Sequence, residues 1–340
     1  MDPITHTLCG VAAAQILPVG EQRALATLTM AVAANLPDLD AVTRRLRSTA
    51  FLEYHHAATH SLPGLLGLSL LFAALWAPVT GLSFLQALGL SLLGCLVHTG
   101  GDLLIHMFGV PLFFPFSKKE YGANLLIGAN PTTSSARCGE RSLWVCTRCQ
   151  LHSASLSPVL ILLASCLALG ALFGQLRPFS VLALGLLFLY LGLTLLLRRI
   201  ARRVFLAEAS QFRGLRPERF FVYPASFLPF RWLGVGETED GDYLLGRVDL
   251  YRLELPVRFE RLPRRSSHLL VKVSENTQTV RAFLTRCFHP CAIAEENDAG
   301  VLVRWKDLSY AIDPSIDLFT ARVQFSPSGD VLSEEYRERW

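Results

Sequence analysis

The sequence predicts an α-helical membrane bundle, a short N-terminal helical hairpin plus about four transmembrane helices, followed by a C-terminal β-rich cytoplasmic domain. Three observations predict it. Hydrophobic residues make up 51% of the 340-residue chain and charged residues only 18%, against about 25% charge in ordinary soluble domains. Four apolar segments are long enough to span a bilayer. Beyond residue 204 the hydrophobic runs turn short and alternating, with turn signals between them.

Taken in order, residues 5–17 and 23–36 are apolar stretches separated by Pro18-Val19-Gly20. Each spans only about 20 Å as a helix, short of a hydrocarbon core of about 30 Å, so they read as a half-inserted hairpin. Leu62–Val79, Phe84–Phe108, Leu156–Phe173 and Phe179–Leu197 follow as transmembrane helices. Three of them carry no charge, whereas Phe84–Phe108 contains His98, Asp102 and His106. Arg44, Arg45 and Arg47 precede the first span, Lys118, Lys119, Arg137, Arg141 and Arg148 lie between the second and third, and Arg198, Arg199, Arg202 and Arg203 follow the fourth. The positive-inside rule therefore puts residues 37–61, 109–155 and 198–340 in the cytoplasm. Two domains are expected: residues 1–203 in the membrane and 204–340 as the β-rich domain. Strands are expected over Tyr243–Leu250, His268–Val273 and Gly300–Trp305, with one helix near Thr277–Phe288. Asp240-Gly241, Asn297-Asp298 and Ser328-Gly329-Asp330 read as turns.

Other classes are disfavoured. A net charge of +4 is too small to argue for nucleic acid. Eight Cys lack a disulfide-framework spacing and read as free thiols. The start Met1-Asp2-Pro3 has no basic n-region, unlike a cleaved signal peptide. Cys138, Cys146, Cys149 and His152 have an irregular spacing that suits a free-thiol loop better than a zinc knuckle. Walker-type and dinucleotide Gly loops are absent, as is a Gly-x-Ser-x-Gly elbow.

The residues that carry chemistry are costly at membrane depth and so mark a functional site. They are His6, Asp38 and Asp40 in Asn35-Leu36-Pro37-Asp38-Leu39-Asp40, His55 and His60, and His98 with Asp102 one helical turn on. His106 is expected one further turn along nearly the same face. Loop charge brings all these clusters to one membrane face. Imidazole and carboxylate there suit a divalent metal ion such as Zn²⁺, Mn²⁺ or Fe²⁺. A catalytic site needs about three or four protein ligands and an open position for water.

Several motifs carry a family resemblance. Met1-Asp2-Pro3-Ile4-Thr5-His6 with Gly10, the Pro37-Asp38-Leu39-Asp40 motif, Tyr54-His55-His56-Ala57-Ala58-Thr59-His60-Ser61, and Gly94-x3-His98-x3-Asp102 resemble the YdjM-like bacterial inner-membrane metal-dependent hydrolases. Phe108-Gly109 and Pro115-Phe116 extend the likeness. The stretch from Tyr223-Pro224 to Asp242-Tyr243 looks like the extra domain of its longer members. The resemblance implies a multi-pass inner-membrane protein with a metal role for His6, Asp38, Asp40, His55, His60, His98 and Asp102. Asp38, Asp40 and His55 are the implied catalytic residues, and zinc is among the implied metals. His56 stands where the family usually has Arg, which leaves His55 and His56 both open as the working residue. Gly128-Ala129-Asn130-Pro131 lacks an acidic residue expected before Pro. The expected activity is hydrolysis of an ester or phosphoester at the cytoplasmic face, with a lipid or other amphipathic substrate and the bilayer as partner. The alternatives are a non-enzymatic transporter using the same residues as an ion path, or a scaffold with a structural metal. An inverted repeat, which a transporter reading would favour, is not evident.

Overall fold

A computed structural model of the chain describes residues 2–45, 55–106, 109–127, 158–210, 212, 215–252, 257, 259–311 and 319–338. These residues form two compact units, one drawn from Met1–Gly128 and Leu156–Leu193, the other from Thr194 onward.

In the first unit the hairpin consists of α1 (Pro3–Ile16) and α2 (Arg23–Ala33). Asp2 caps α1: its carboxylate accepts from the Thr5 backbone N–H at 2.9 Å and the Thr5 hydroxyl at 2.6 Å, and Pro3 occupies the first helical position. Helix α3 (Leu62–Thr80) begins at the Ser61 cap and ends at Gly81, whose φ of 73° closes the helix in the left-handed region. Ser83 and Gln86 form a capping box that starts α4 (Phe84–Leu104) almost at once, so α3 and α4 run antiparallel. Apolar helices therefore occupy the first two stretches expected to span. The second ends earlier than expected. At Ile105 the backbone turns extended, and β1 (Ile105–His106) pairs in parallel with β2 (Leu126–Ile127). His106 is thus not a further turn of the helical face. Its Nδ1 lies 3.0 Å from Asn124 Oδ1 instead.

Helix α5 (Pro158–Leu172) is apolar but only 15 residues long, and α6 (Leu176–Ala209) runs for 34 residues, through the arginine cluster. Among the described residues three helices, α3, α4 and α6, are long and apolar enough to cross a membrane, and α5 falls short of that over its described length. Their outer faces suit lipid: Leu71, Leu75 and Val79 of α3 and Phe188 and Leu189 of α6 are exposed. Val159, Leu163 and Leu167 of α5 pack with Ala12, Ile105, Leu125 and Ala183.

The second unit holds two antiparallel four-stranded meanders. The first has the order β3 (Leu215–Pro224), β4 (Arg231–Thr238), β5 (Tyr243–Asp249), β6 (Phe259–Leu262). The second joins β7 (Pro290–Asn297), β8 (Gly300–Asp307), β9 (Phe319–Phe325) and β10 (Val331–Glu338). The β-rich reading is correct here. Ala201 and Phe205 of α6 are buried with Phe220, Val222, Trp232 and Val248 of the first sheet. One expected strand is a helix: Leu269–Ser274 forms α7, capped by His268, whose Nδ1 accepts from the Leu270 N–H. Buried Val271 and Ser274 lie three residues apart, a helical spacing that a short alternating run conceals. Helix α8 (Gln278–Leu284) lies inside the stretch read as helical, and its Phe283 packs on Phe319 with ring centroids 4.8 Å apart.

Candidate metal centre

The site lies at one end of the first unit's helices, where the start of α1, the end of α2, the segment before α3 and the end of α4 meet. Small residues allow the approach. A side chain at Gly10 would meet the Met30 carbonyl oxygen at 2.8 Å, and one at Gly94 would meet Ala33 Cβ at 2.8 Å. The last carbonyls of α2 lack helical partners and are taken up by α4: His98 Nδ1 donates to Ala34 O at 2.7 Å and the Cys95 thiol to Ala33 O at 3.4 Å. After α2 the chain winds through 3-10 turns over Pro37–Arg45, which bring Asp38 and Asp40 back over the end of α4.

Four of the expected residues converge tightly. One ligand atom each from Asp38, His60, His98 and Asp102 lies within 4.8 Å of all the others. His98 Nε2 is 2.9 Å from Asp102 Oδ2, 3.4 Å from Asp38 Oδ1 and 3.1 Å from His60 Nε2. His60 Nε2 is 3.5 Å from both Asp38 Oδ1 and Asp102 Oδ2. Donors at about 2.0–2.1 Å from a tetrahedral ion stand about 3.3–3.4 Å from one another, so these separations suit such an ion.

Proton positions make the case stronger. Ala34 O can only accept, so His98 Nδ1 carries a hydrogen and Nε2 is the nitrogen that faces the cluster. The Thr59 hydroxyl donates to Asp40 Oδ2 at 2.5 Å, which leaves it an acceptor for His60 Nδ1 at 3.0 Å. His60 Nε2 is therefore the nitrogen turned toward Asp38, His98 and Asp102. Two such nitrogens and two carboxylate oxygens face one another with His60, His98 and Asp102 fully buried and Asp38 20% exposed. A proton on one nitrogen serves two of these atoms, whereas a divalent cation serves all four.

The remaining expected residues surround this set. His6 stacks on His98 with centroids 3.7 Å apart, and its Nε2 is 3.3 Å from Asp102 Oδ1, the oxygen turned away from His98. Asp40 Oδ1 accepts from His55 Nδ1 at 2.7 Å, and its Oδ2 accepts from the His56 backbone N–H at 3.2 Å. It thereby orients the His55–His60 segment, in the manner of carboxylates behind metal-bound histidines. His56 belongs to the cluster as well: ligand atoms of Asp38, His55 and His56 lie within 4.8 Å of one another, and its Nε2 is 3.9 Å from Asp102 Oδ2. Both members of the His55/His56 pair thus reach the site. The clue in the sequence was His56 itself, a second imidazole beside His55.

Electrostatics fit the chemistry. Burial raises the Asp38 and Asp40 carboxyls, yet hydrogen bonds from His60 and His98 to Asp38, and from His55 and His60 to Asp40, hold both below the ordinary carboxylate range. Burial lowers His60, but Asp38 and Asp40 outweigh it and raise the imidazole. Burial, with His55 and His60 nearby, holds His56 well below its usual value, so it is neutral near pH 7. Cys138, Cys146, Cys149, His152 and the Gly128–Pro131 loop lie outside the described residues.

Residues 1–201 match the family model described as YdjM inner membrane protein. No curated protein and no solved structure matches the chain.

Proposed function

The chain belongs to the YdjM inner membrane protein family, and from that premise we propose that it is a metal-dependent hydrolase acting on an ester or phosphoester at the cytoplasmic face of the inner membrane. The observation that carries this reading is the convergence of Asp38, His60, His98 and Asp102 on one ion-sized point. A divalent ion held there, zinc among the candidates, acidifies water and polarises a carbonyl or phosphoryl oxygen. In this reading His60, His98 and Asp102 bind from the buried side. Asp38 stands at the more exposed side, where water and substrate reach the centre. His6 lies 3.3 Å from the second oxygen of Asp102, Asp40 orients His55 and His60, and His55 or His56 would accept a proton from attacking water. The multi-pass arrangement and the cytoplasmic C-terminal domain, residues 204–340, belong to the same proposal and rest on loop charge.

Position argues for the substrate class. The centre sits at the ends of the apolar helices α1, α3 and α4, so a phospholipid or another amphipathic ester reaches it more directly than a soluble metabolite does. Clustering at one end of the helices also favours a site over a transport path, which would need polar residues along the spans. The test is elemental analysis of detergent-purified protein beside an assay for phosphate or fatty-acid release from phospholipid vesicles. Wild type is expected to carry metal and release product, and His98→Ala to lose both. Wild type without metal, or metal-loaded protein inert on every vesicle ester offered, sinks the proposal.

A further inference from the structure

Asp38 belongs to two groups of ligand atoms. Its Oδ1 faces His60 and His98 in the first, and the carboxylate also stands with His55 and His56 in the second, again with all chosen atoms within 4.8 Å. In the second group His55 Nδ1 donates to the Asp40 carboxylate, which orients the ring. His56 is the more telling residue. It has a φ of 59°, a left-handed backbone that costs a residue other than glycine roughly 1–3 kcal/mol. The turn is held there by the Asp40 carboxylate, through the His56 N–H and the Thr59 hydroxyl. The imidazole it delivers is 3% exposed, and its Nδ1 has no hydrogen-bond partner. A buried polar atom in that condition costs about 1–3 kcal/mol. Backbone strain and an unsatisfied ring nitrogen at one residue, next to a carboxylate that already faces a complete ligand set, have a common explanation.

We propose that the centre holds two divalent ions bridged by Asp38, the first on Asp38, His60, His98 and Asp102, the second on Asp38, His55 and His56. The proposal rests on the metal-centre reading given above. It makes both His55 and His56 ligands, in place of the proton-accepting role that one of them has in the single-ion reading. It also accounts for the closed look of the first set: with four protein ligands on the first ion, the second, with three, is the one that keeps positions open for water and substrate. Paired ions of this kind clamp the attacking and leaving oxygens of a phosphoester, and therefore favour a phosphoester over an acyl ester as the substrate.

The test titrates metal-stripped full-length protein in detergent with Mn²⁺ and reads bound metal and the electron paramagnetic resonance spectrum. Two equivalents and the spectrum of an exchange-coupled pair are expected for wild type. His56→Ala is expected to bind one equivalent and to give an uncoupled spectrum. One equivalent in wild type overturns the pair and leaves a mononuclear hydrolase standing. Two equivalents without coupling overturn the Asp38 bridge and hence the proposal. No bound metal overturns both this proposal and the function it rests on. The wild-type measurements decide the question even if the variant fails to fold.

Discussion

At the scale of single residues, the centre is an arrangement of ring nitrogens and carboxylates whose directions are fixed by what lies behind each ring. His98 is aimed by the Ala34 carbonyl, His60 by Thr59, and His55 by Asp40. Asp40→Asn keeps the shape but removes the charge behind two of these rings. It is expected to weaken metal affinity about 10–100-fold, measured by competition with a chelating dye, with the circular dichroism spectrum unchanged. Unaltered affinity would remove Asp40 from the centre. Metal binding is also expected to rise with pH. His60 in the metal-free protein holds its proton to a pH above the ordinary imidazole value because Asp38 and Asp40 outweigh its burial, and metal must displace that proton. Apparent affinity should therefore climb as the pH rises through neutrality, roughly tenfold per pH unit for each proton released. A flat profile would show that His60 is not displaced. Most of this scale was legible: His6, Asp38, Asp40, His55, His60, His98 and Asp102 all stand around one point. Hidden from the sequence was the division of labour between Asp38 and Asp40, two residues apart in one motif, because the 3-10 turns that separate their directions follow from tertiary packing.

At the scale of elements, the hairpin and α4 meet through glycine. Gly94 lies in the middle of a helix, where glycine costs about 1 kcal/mol against alanine, and it is kept because Ala33 and the Met30 carbonyl leave no room for a side chain. Gly94→Val is expected to cost about 1–3 kcal/mol by overpacking, seen as a lower unfolding temperature in detergent. Because the same contact positions Ala34 O behind His98, bound metal should fall as well. A stable variant with full metal content would show that the approach of α2 to α4 does not set the site. The long apolar helices were readable from composition, since length and hydropathy suffice to mark them. The end of α4 was not. His98, Asp102 and His106 continue an i, i+4 pattern, yet the chain leaves the helix at Ile105 to pair with Leu126–Ile127. That pairing is non-local and leaves no periodicity in the sequence. The strand expected over His268–Val273 failed for a related reason: a six-residue apolar run serves a short helix and a strand equally well.

At the scale of the whole molecule, the loop arginines and lysines set an expected orientation. Arg198, Arg199, Arg202 and Arg203 all lie on α6, beyond its most apolar stretch. A fluorescent protein fused after Trp340 is expected to fluoresce, and alkaline phosphatase fused there to be inactive, as for a cytoplasmic terminus. The opposite pair of results would overturn the cytoplasmic placement of residues 204–340. Sequence alone determined that the chain has apolar helices of spanning length, a β-rich C-terminal part and a costly set of imidazoles and carboxylates, because hydropathy, alternation and residue type are local properties. Tertiary structure decided which of those groups face one another, that His56 joins them through a left-handed turn, and that Asp38 is shared by two sets. Those are outcomes of packing between segments far apart in the chain, and coordination geometry exists only once they have met.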